Sequence, residues 1–383
     1  MRRNKVPGRG CMAERLKSAI ISKEPAAQLH LRHVFISLFC TISVNVSHSL
    51  TETYADILPV RDQSSISAFV SIMRGCDNMC SFCIVPFTRG RERSRPVNSI
   101  LDEVKKLIDQ GVKEITLLGQ NVNSYCDTAT TNLTNESVMH PSSVLSPGFS
   151  AKYKPKTNGV RFAELLDRVS AVNPEIRFRF TSPHPKDFPD ELLQIMKERT
   201  NICKHIHLPA QSGSDAMLSS MKRGHNREAY LNLVERIRSI IPGVTLSSDF
   251  ITGFCGETED DHQQTLELMN AVRYNYCFVF MYSMRKKTNA FYHLKDDVPL
   301  ETKKRRLEEL SQTFRKCALE INRSLIDTEQ LVLVEKTSKR SASDWMGRNN
   351  GGIKVILPKC VLPDKRSGVK EVEPGDYVAV KVI

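Results

Sequence analysis

Short apolar runs alternate with stretches of helical periodicity from about residue 67 to residue 282, and this alternation limits the possible folds more than any other feature. Strands separated by helices of about 10–15 residues form βαβ units, whose strands pair in parallel. Six such units fit an open, partial (β/α)6 barrel, so the sequence predicts an α/β fold of this kind. The predicted strands are Ala68–Met73, Glu114–Leu118, Arg177–Thr181, His205–Leu208, Thr245–Phe250 and Phe278–Tyr282. The predicted helices lie near Asn98–Gln110, Arg161–Val172, Asp190–Glu198, Arg227–Ile240 and Thr258–Val272.

Two regions depart from this pattern. Residues 124–159 are rich in Ser, Thr, Asn and Pro and have no clear period, which predicts a disordered surface insertion. Beyond residue 328, strand-like runs separated by Gly, Asn and Pro predict a small β-barrel. The predicted organisation is an N-terminal segment 1–60, a barrel domain 61–328 and a partial β-barrel 329–383.

The net charge, the apolar runs and the cysteine content limit which partners and which cellular compartment suit this chain. Of 383 residues, 55 are Lys or Arg and 43 are Asp or Glu, which gives a net charge of +12. This excess favours a polyanionic partner, most commonly nucleic acid. No apolar run approaches the roughly 18 residues of a membrane span. The 11 cysteines are an odd number spread along the chain, unlike the framework of a secreted disulfide-rich protein.

Three cysteines are clustered, with the spacing C-x-x-x-C-x-x-C: Cys76, Cys80 and Cys83. Structural zinc needs four protein ligands, and the next cysteine along the chain is only at Cys126. Iron–sulfur clusters are held by thiolates, and a cluster with three protein thiolates leaves one iron open to a small molecule. The spacing therefore favours an iron–sulfur cluster over zinc. The aromatic residue Phe82, directly before the last cysteine, adds to this pattern.

Polar residues and glycines follow the predicted strands, at the strand ends where barrel enzymes keep their sites. A glycine there lets the backbone approach a ligand, and the amide, hydroxyl and carboxylate groups can hydrogen-bond it. Each residue alone could equally belong to a turn, but together they favour a cofactor site. They are Gly119, Gln120, Asn121, Ser182, Gln211, Asp249 and Gly253.

Alternate arginines follow the cysteine segment: Arg89, Arg91, Arg93 and Arg95. In an extended segment alternate residues lie on one side, and the planar guanidinium group suits bidentate contacts with phosphate. A solvated run of charge is the alternative. Beside a cluster site, we favour contacts with RNA or with a cofactor carboxylate.

The segment GCDNMCSFCIVPFTRGRERSRP resembles the MiaB-type tRNA methylthiotransferases, a family of radical S-adenosylmethionine (SAM) enzymes. Similar segments follow in the family's order over residues 67–329, and the final strands resemble the TRAM domain that ends these enzymes. The similarity is to the eukaryotic, often mitochondrial branch, which is described as binding a cyclin-dependent kinase activator. The similar segments are LLGQNVNSY (117–125), RFTSPHPKDFPDEL (179–192), HLPAQSGS (207–214), MKRGHNREAY (221–230), SSDFITGFCGETEDD (247–261) and MYSMRKKTNA (281–290).

The resemblance implies a 4Fe–4S cluster on Cys76, Cys80 and Cys83, with SAM on the open iron and Phe82 near its adenine. It implies that cleavage of SAM initiates the addition of a methylthio group to carbon 2 of N6-isopentenyladenosine, beside the anticodon of a tRNA. The implied partners are tRNA, an electron donor protein and the kinase activator. The implied location is mitochondrial, with the cytosol as the alternative.

The resemblance is incomplete at both ends of the chain. The family's N-terminal domain holds a second cluster on three cysteines, and only Cys11 has a counterpart here. The chain also stops at Ile383, before the remaining TRAM strands. We therefore expect one cluster to assemble, on Cys76, Cys80 and Cys83, whereas activity of this chain in the complete reaction stays open. Two other functions stay open: a sister enzyme acting on threonylcarbamoyladenosine in tRNA, and a non-catalytic regulator of a cyclin-dependent kinase complex.

Overall fold

A computed structural model describes residues 65–129, 145–151, 158–364 and 368–383. The predicted N-terminal segment 1–60, with Cys11, lies outside the described residues. So does most of the predicted insertion 124–159. Within the described ranges, no helix is both long enough and apolar enough to cross a membrane.

Six parallel strands form the central sheet. Strands β1, β2 and β3 pair in that order, and β4, β5 and β6 form a second set in which β5 is central. A parallel bridge between Phe178 and Ile202 joins the two sets, so β3 is followed by β4 around an open barrel. The prediction of a six-stranded α/β fold is thereby confirmed. The strands are β1 Ser67–Ser71, β2 Glu114–Leu118, β3 Arg177–Phe180, β4 His205–His207, β5 Thr245–Thr252 and β6 Tyr276–Met281.

Helices connect the strands and cover one face of the sheet. Helix α2 buries Val97, Ile100 and Val104, which recur at helical spacing along one face. Helix α7 begins with a capping box, in which Thr258 and Asp261 exchange hydrogen bonds. The helices are α1 Val85–Thr88, α2 Val97–Asp109, α3 Phe162–Ala171, α4 Asp190–Glu198, α5 Asp215–Ser220, α6 Arg227–Ile240, α7 Glu259–Val272, α8 Asn289–His293 and α9 Leu300–Arg323.

The main hydrophobic core lies between these helices and the sheet. Tyr125 and Phe149 belong to it, although both fall within the range predicted to be a disordered insertion. Two-residue strands at Cys126–Asp127 and Val160–Arg161 also pair across that range. The structure corrects the prediction at these residues, because large aromatic side chains stabilise the fold when they are buried.

The C-terminal residues form a separate antiparallel sheet with its own small core, which includes Val332, Val334 and Val378. Its first strand begins at Glu329, the predicted domain boundary. The strands are β7 Glu329–Thr337, β8 Asp344–Asn349, β9 Lys354–Pro358, β10 Val361–Asp364, β11 Gly368–Glu371 and β12 Tyr377–Lys381, with the order β9–β8–β7–β12 and a β10–β11 hairpin.

This C-terminal β domain contacts the barrel at the amino-terminal ends of the barrel strands. Arg177, at the start of β3, donates hydrogen bonds to the backbone carbonyls of Arg348 and Leu331, both at 2.8 Å. Thr245, at the start of β5, donates to the carbonyl of Gly351 at 2.7 Å. The domain therefore leaves the carboxyl-terminal ends of the strands, where the predicted site lies, on the opposite side.

Candidate functional site

The three clustered cysteines lie on a loop that follows β1 at the carboxyl end of the sheet. Ser81 anchors the loop: its backbone N–H donates to the Met221 carbonyl at 3.0 Å, and its hydroxyl donates to the Ser220 carbonyl at 2.8 Å. The Ser81 carbonyl accepts a hydrogen bond from the Ala290 N–H at 2.8 Å. Contacts with two distant parts of the chain therefore hold the loop in a defined conformation.

Burial dominates the electrostatics of the thiols. Cys76 and Cys80 are buried and Cys83 is half-buried. Burial raises the pKa of Cys76 well above its usual value, and the nearby charges of Glu92, Cys80 and Cys83 raise it further. The charge on each of Cys80 and Cys83 disfavours ionisation of Cys76, so a positive group such as a metal centre would favour the thiolate forms.

The residues present fit an iron–sulfur cluster better than a single metal ion. In the described part of the chain, no three His, Cys, Asp or Glu side chains are placed to share one ion. A single tetrahedral ion needs its ligands about 2.3 Å away, whereas thiolates on different irons of a cluster lie farther apart. Cys80 and Cys83 also line a cavity of about 180 Å³ with Lys222 and Asn289, next to the thiols.

The predicted residues after β2 contact the cysteine loop. The Gln120 side-chain carbonyl accepts a hydrogen bond from the Gly75 N–H, directly before Cys76, at 2.6 Å. The Asn121 amide donates to Glu92 at 3.0 Å, and its buried carbonyl oxygen has no partner among the described residues. A Cβ atom on Gly119 would lie 2.5 Å from the Met73 side chain, so this turn requires glycine.

The predicted residues after β4 and β5 meet each other. The Gln211 N–H donates to the Asp249 carbonyl at 2.9 Å, and Gln211 holds a φ of 72°, which is uncommon outside glycine. The Asp249 carboxylate lies 3.3 Å from Nε2 of His207. Gly253 has a φ of 70°, and its N–H donates to Glu257 at 2.6 Å.

Two predicted residues have different surroundings. Ser182 is exposed, with a φ of 58°. Phe82 packs against an apolar cluster that includes Met221 and Phe254. All these residues lie at the carboxyl ends of the strands, and Gln120 hydrogen-bonds the cysteine loop directly.

The arginine run does not form one surface. Arg91 is exposed and pairs with Asp77 at 2.9 Å, and Arg93 donates to the Arg89 carbonyl at 3.1 Å. Arg95 is only 3% exposed, and its guanidinium donates to Glu103 at 2.6 Å. The surroundings of Arg95 do not favour the predicted RNA contact, because the side chain is enclosed and its charge is paired with Glu103 inside the protein.

Sequence reasoning missed two groups beside the thiols. Arg223 is buried, and it donates hydrogen bonds to Sγ of Cys80 at 3.4 Å and to the Pro209 carbonyl at 2.9 Å. Glu92 accepts hydrogen bonds from the Asp77 N–H and from Asn121, and burial raises its pKa. The signal for Arg223 was present in the segment MKRGHNREAY, but only folding brings this segment to the loop.

A second, larger cavity of about 440 Å³ adjoins the cysteine loop. Its lining includes Lys222, Arg223 and two buried histidines, His184 and His225. Burial lowers the pKa of both histidines, and the positive charge of Arg223 lowers it further, so both are neutral near pH 7. The lining of this cavity therefore combines the positive charges of Lys222 and Arg223 with two neutral imidazole rings.

Known proteins match this chain over most of its length. The family described as the Radical SAM superfamily matches residues 70–269. The mouse mitochondrial tRNA methylthiotransferase CDK5RAP1 is 57% identical over 396 residues, covering 99% of this chain and 67% of its own length. The human protein of the same name is 55% identical, covering 99% and 68%. A tRNA-2-methylthio-N(6)-dimethylallyladenosine synthase of Chloroherpeton thalassium is 46% identical, covering 97% and 76%.

The chain belongs to the methylthiotransferase family of radical SAM proteins. The resemblance predicted from the cysteine loop and the ordered segments is confirmed. Radical SAM proteins bind a 4Fe–4S cluster and SAM, and the thiol loop, its cavity and the strand-end residues lie together where such a cofactor pair would be held.

Proposed function

We propose that this chain is a tRNA methylthiotransferase that acts on carbon 2 of N6-isopentenyladenosine beside the anticodon. The observation that carries the proposal is the identity of 46–57% to methylthiotransferases over nearly the whole chain, together with the three-cysteine loop. A C–H bond on an adenine ring is not acidic enough for ordinary acid–base chemistry, which is why a radical initiator is required. When bound, the cluster and SAM supply that radical chemistry.

The residues of the chain bind and orient the cofactors. Cys76, Cys80 and Cys83 would hold three irons, and the Arg223 hydrogen bond would stabilise the Cys80 thiolate. Gln120 fixes the backbone directly before Cys76. The Asn121 carbonyl oxygen, which has no partner among the described residues, can accept a hydrogen bond from an amino group of SAM.

Of the predicted basic residues, we propose Arg91 as an RNA contact, and its exposure beside the loop supports this. Arg89 and Arg93 stay candidates for the same role. The further partner we propose is an electron donor protein, which must reduce the cluster. We also propose a mitochondrial location, in line with the names of the mammalian relatives. The second cluster would involve Cys11, outside the described residues.

Two alternatives follow from the sequence. A sister enzyme acting on threonylcarbamoyladenosine is less well supported, because the bacterial relatives are named for dimethylallyladenosine. A non-catalytic regulator of a cyclin-dependent kinase complex would have no need of a three-cysteine loop with Cys80 and Cys83 lining a cavity.

The decisive experiment measures modified nucleosides by mass spectrometry in tRNA from cells that lack this protein. We expect 2-methylthio-N6-isopentenyladenosine to disappear and to return when the gene is restored. Complementation with the 383-residue chain alone shows whether this chain supports the complete reaction. Unchanged methylthio-adenosine in the knockout would refute the proposal.

The cluster itself is tested by anaerobic reconstitution with iron and sulfide. We expect about four irons per chain, bound as one 4Fe–4S cluster. Cys83→Ser should lower the iron content several-fold, since a three-thiolate site loses a ligand. Cys360→Ser is the matched control, a half-buried cysteine in the C-terminal β domain, and should load like wild type. Equal iron in both variants would contradict the assignment.

A further inference from the structure

A row of exposed aromatic side chains lies along β6, at one edge of the barrel sheet. Tyr276, Phe278 and Phe280 are 52%, 45% and 51% exposed, whereas Cys277 between them is buried in the core. Side chains alternate between the two faces of a strand, so the three rings share the face away from the core. We name these three residues the aromatic row. Three half-exposed rings on one strand are unusual on a surface that binds nothing.

The spacing of the rings suits a planar ligand. The centroids of Phe278 and Phe280 are 6.5 Å apart, and their planes are within 14° of parallel. This distance is close to twice the roughly 3.4 Å between stacked bases. Tyr276 and His207 each approach Phe278 edge-on, at 4.8 and 6.3 Å, and restrict its orientation. A flat aromatic ring could therefore stack on or between the phenylalanines.

Positive charge follows the aromatic row directly. Arg285, Lys286 and Lys287 lie just after β6, and all three are exposed. None of them forms an ion pair with a residue that the structure describes. We name them the basic segment. Aromatic rings beside unpaired cations are the combination that binds single-stranded nucleic acid, with bases on the rings and phosphates on the cations.

The aromatic row also adjoins the candidate cofactor site. In the register of β5 and β6, Phe278 pairs with Asp249 and Tyr276 pairs with Ser247. Asp249 contacts both His207 and the backbone of Gln211, at the carboxyl ends of the strands. A nucleotide chain on the row would thus lie along the edge of the cofactor site.

We propose that the aromatic row stacks unpaired bases of the RNA substrate, while the basic segment contacts their phosphates. The identity of the ligand as RNA rests on the proposed function, and the site itself rests on the geometry above. The charge next to the row favours a polyanion over an apolar protein surface, because a protein partner would have to desolvate the cations of the basic segment.

The test measures RNA binding by the 383-residue chain after reconstitution of its cluster, using fluorescence anisotropy. The probe is an RNA stem–loop carrying 2-aminopurine in its unpaired loop, and the comparison ligand is a fully paired RNA of equal length. Phe278→Ala should weaken stem–loop binding roughly 5- to 100-fold, and Phe278→Trp should restore it. Stacking should also quench 2-aminopurine in wild type and less in Phe278→Ala. Leu319→Ala, at an equally exposed apolar residue on α9, is the control and should bind normally.

The basic segment is tested through the dependence of affinity on salt. Lys286→Gln with Lys287→Gln should lower the slope of log affinity against log salt by about 1.4, because each phosphate that a lysine neutralises on a single strand adds about 0.7 to the slope. Lys304→Gln, an exposed lysine on α9 paired with Glu301, should leave the slope unchanged. An unchanged slope in the double variant would exclude the basic segment from the RNA interface.

Each outcome separates this site from the proposed function. If wild type binds the stem–loop and Phe278→Ala binds it equally well, the aromatic row is not the site, and the proposed function stands. If Phe278→Leu binds like Phe278→Trp, the row acts as an apolar protein-docking or self-association surface and the stacking proposal fails. If wild type does not bind the stem–loop at all, the aromatic row is not an RNA site, and the nucleoside analysis of knockout tRNA decides the proposed function by itself.

Discussion

Arg91 and Arg95 stand four residues apart in the same basic run, but their surroundings differ completely. Arg91 extends into solvent, where an ion pair contributes at most about 1 kcal/mol. Arg95 lies in the core with Glu103, and its guanidinium also donates to the carbonyl of Ser71 at 2.7 Å. Residue type alone could not distinguish these two roles.

We expect Arg95→Ala to destabilise the protein by about 3–5 kcal/mol, because it leaves the Glu103 charge buried and unpaired. Arg91→Ala should cost less than about 1 kcal/mol. Urea unfolding measures both, and the double variant Arg95→Ala with Glu103→Ala should recover part of the loss. Unchanged stability together with weaker RNA binding in Arg95→Ala would restore the role expected from the sequence.

His225 makes stability depend on pH. Burial lowers its pKa to about 3, and the neighbouring charge of Arg223 contributes. The unfolded side chain takes up a proton near pH 6.5, so the free energy of unfolding falls as the pH drops from about 6.5 towards 3. His225→Phe keeps a ring against Phe149 and Tyr230 but cannot be protonated. Between about pH 7 and pH 5, the free energy of unfolding of His225→Phe should fall by about 2 kcal/mol less than that of wild type. Equal falls in the two proteins, measured by urea unfolding at each pH, would contradict this prediction.

At the scale of elements, the cysteine loop depends on backbone geometry as much as on its thiols. Gly75 has a φ of 82°, and a Cβ atom there would lie 2.1 Å from the carbonyl oxygen of Arg91. The Cys76 N–H donates to the Gly90 carbonyl at 3.2 Å, so the two ends of the loop are held against each other. The glycine therefore permits the close approach that shapes the cluster site.

We expect Gly75→Ala to lower both thermal stability and the iron content after reconstitution, because the loop must open to relieve the clash. The left-handed backbone alone costs about 1–2 kcal/mol. Gly243→Ala is the matched control: its φ is 75°, and nothing lies within 4 Å of an added Cβ. Gly243→Ala should lose about 1–2 kcal/mol of stability and bind as much iron as wild type. Normal iron loading in Gly75→Ala would show that the loop tolerates displacement.

At the scale of the whole molecule, two arginines on β3, Arg177 and Arg179, attach the C-terminal β domain to the barrel. Arg179 pairs with Glu114 at 2.8 Å and donates to the Asn349 carbonyl at 2.9 Å, so one side chain joins β2, β3 and the β domain. These contacts lie at the end of the barrel opposite the cysteines.

The net charge of +12 is a property of the whole surface, and the exposed cations beside the site give part of it a specific place.

We expect Arg179→Met to loosen this attachment and to destabilise the protein by about 3 kcal/mol or more, since Glu114 is left buried without its partner. Hydrogen exchange followed by mass spectrometry should show faster exchange around residues 345–351. Arg348→Met, which removes a partly exposed pair with Glu335 within the β domain, should change exchange only locally. Equal exchange in the two variants would contradict a bridging role for Arg179.

The sequence was sufficient for the fold class, and it predicts the cluster ligands, because both rest on local patterns. Alternation of strands and helices specifies a parallel α/β sheet, and three cysteines within eight residues must share one loop. The insertion was mispredicted at Tyr125 and Phe149, since composition reports polarity but not which aromatic residues reach the core.

The sequence by itself determined the family, the barrel of six strands and the three thiols, through spacing that needs no knowledge of distant contacts. Only the tertiary structure decided that Arg95 is a core residue, that Arg223 reaches Cys80 from more than a hundred residues away, and that three aromatic rings on β6 remain exposed beside Asp249. The physical reason is that burial and long-range hydrogen bonds depend on which elements pack together, and the packing is fixed by the whole chain rather than by any segment.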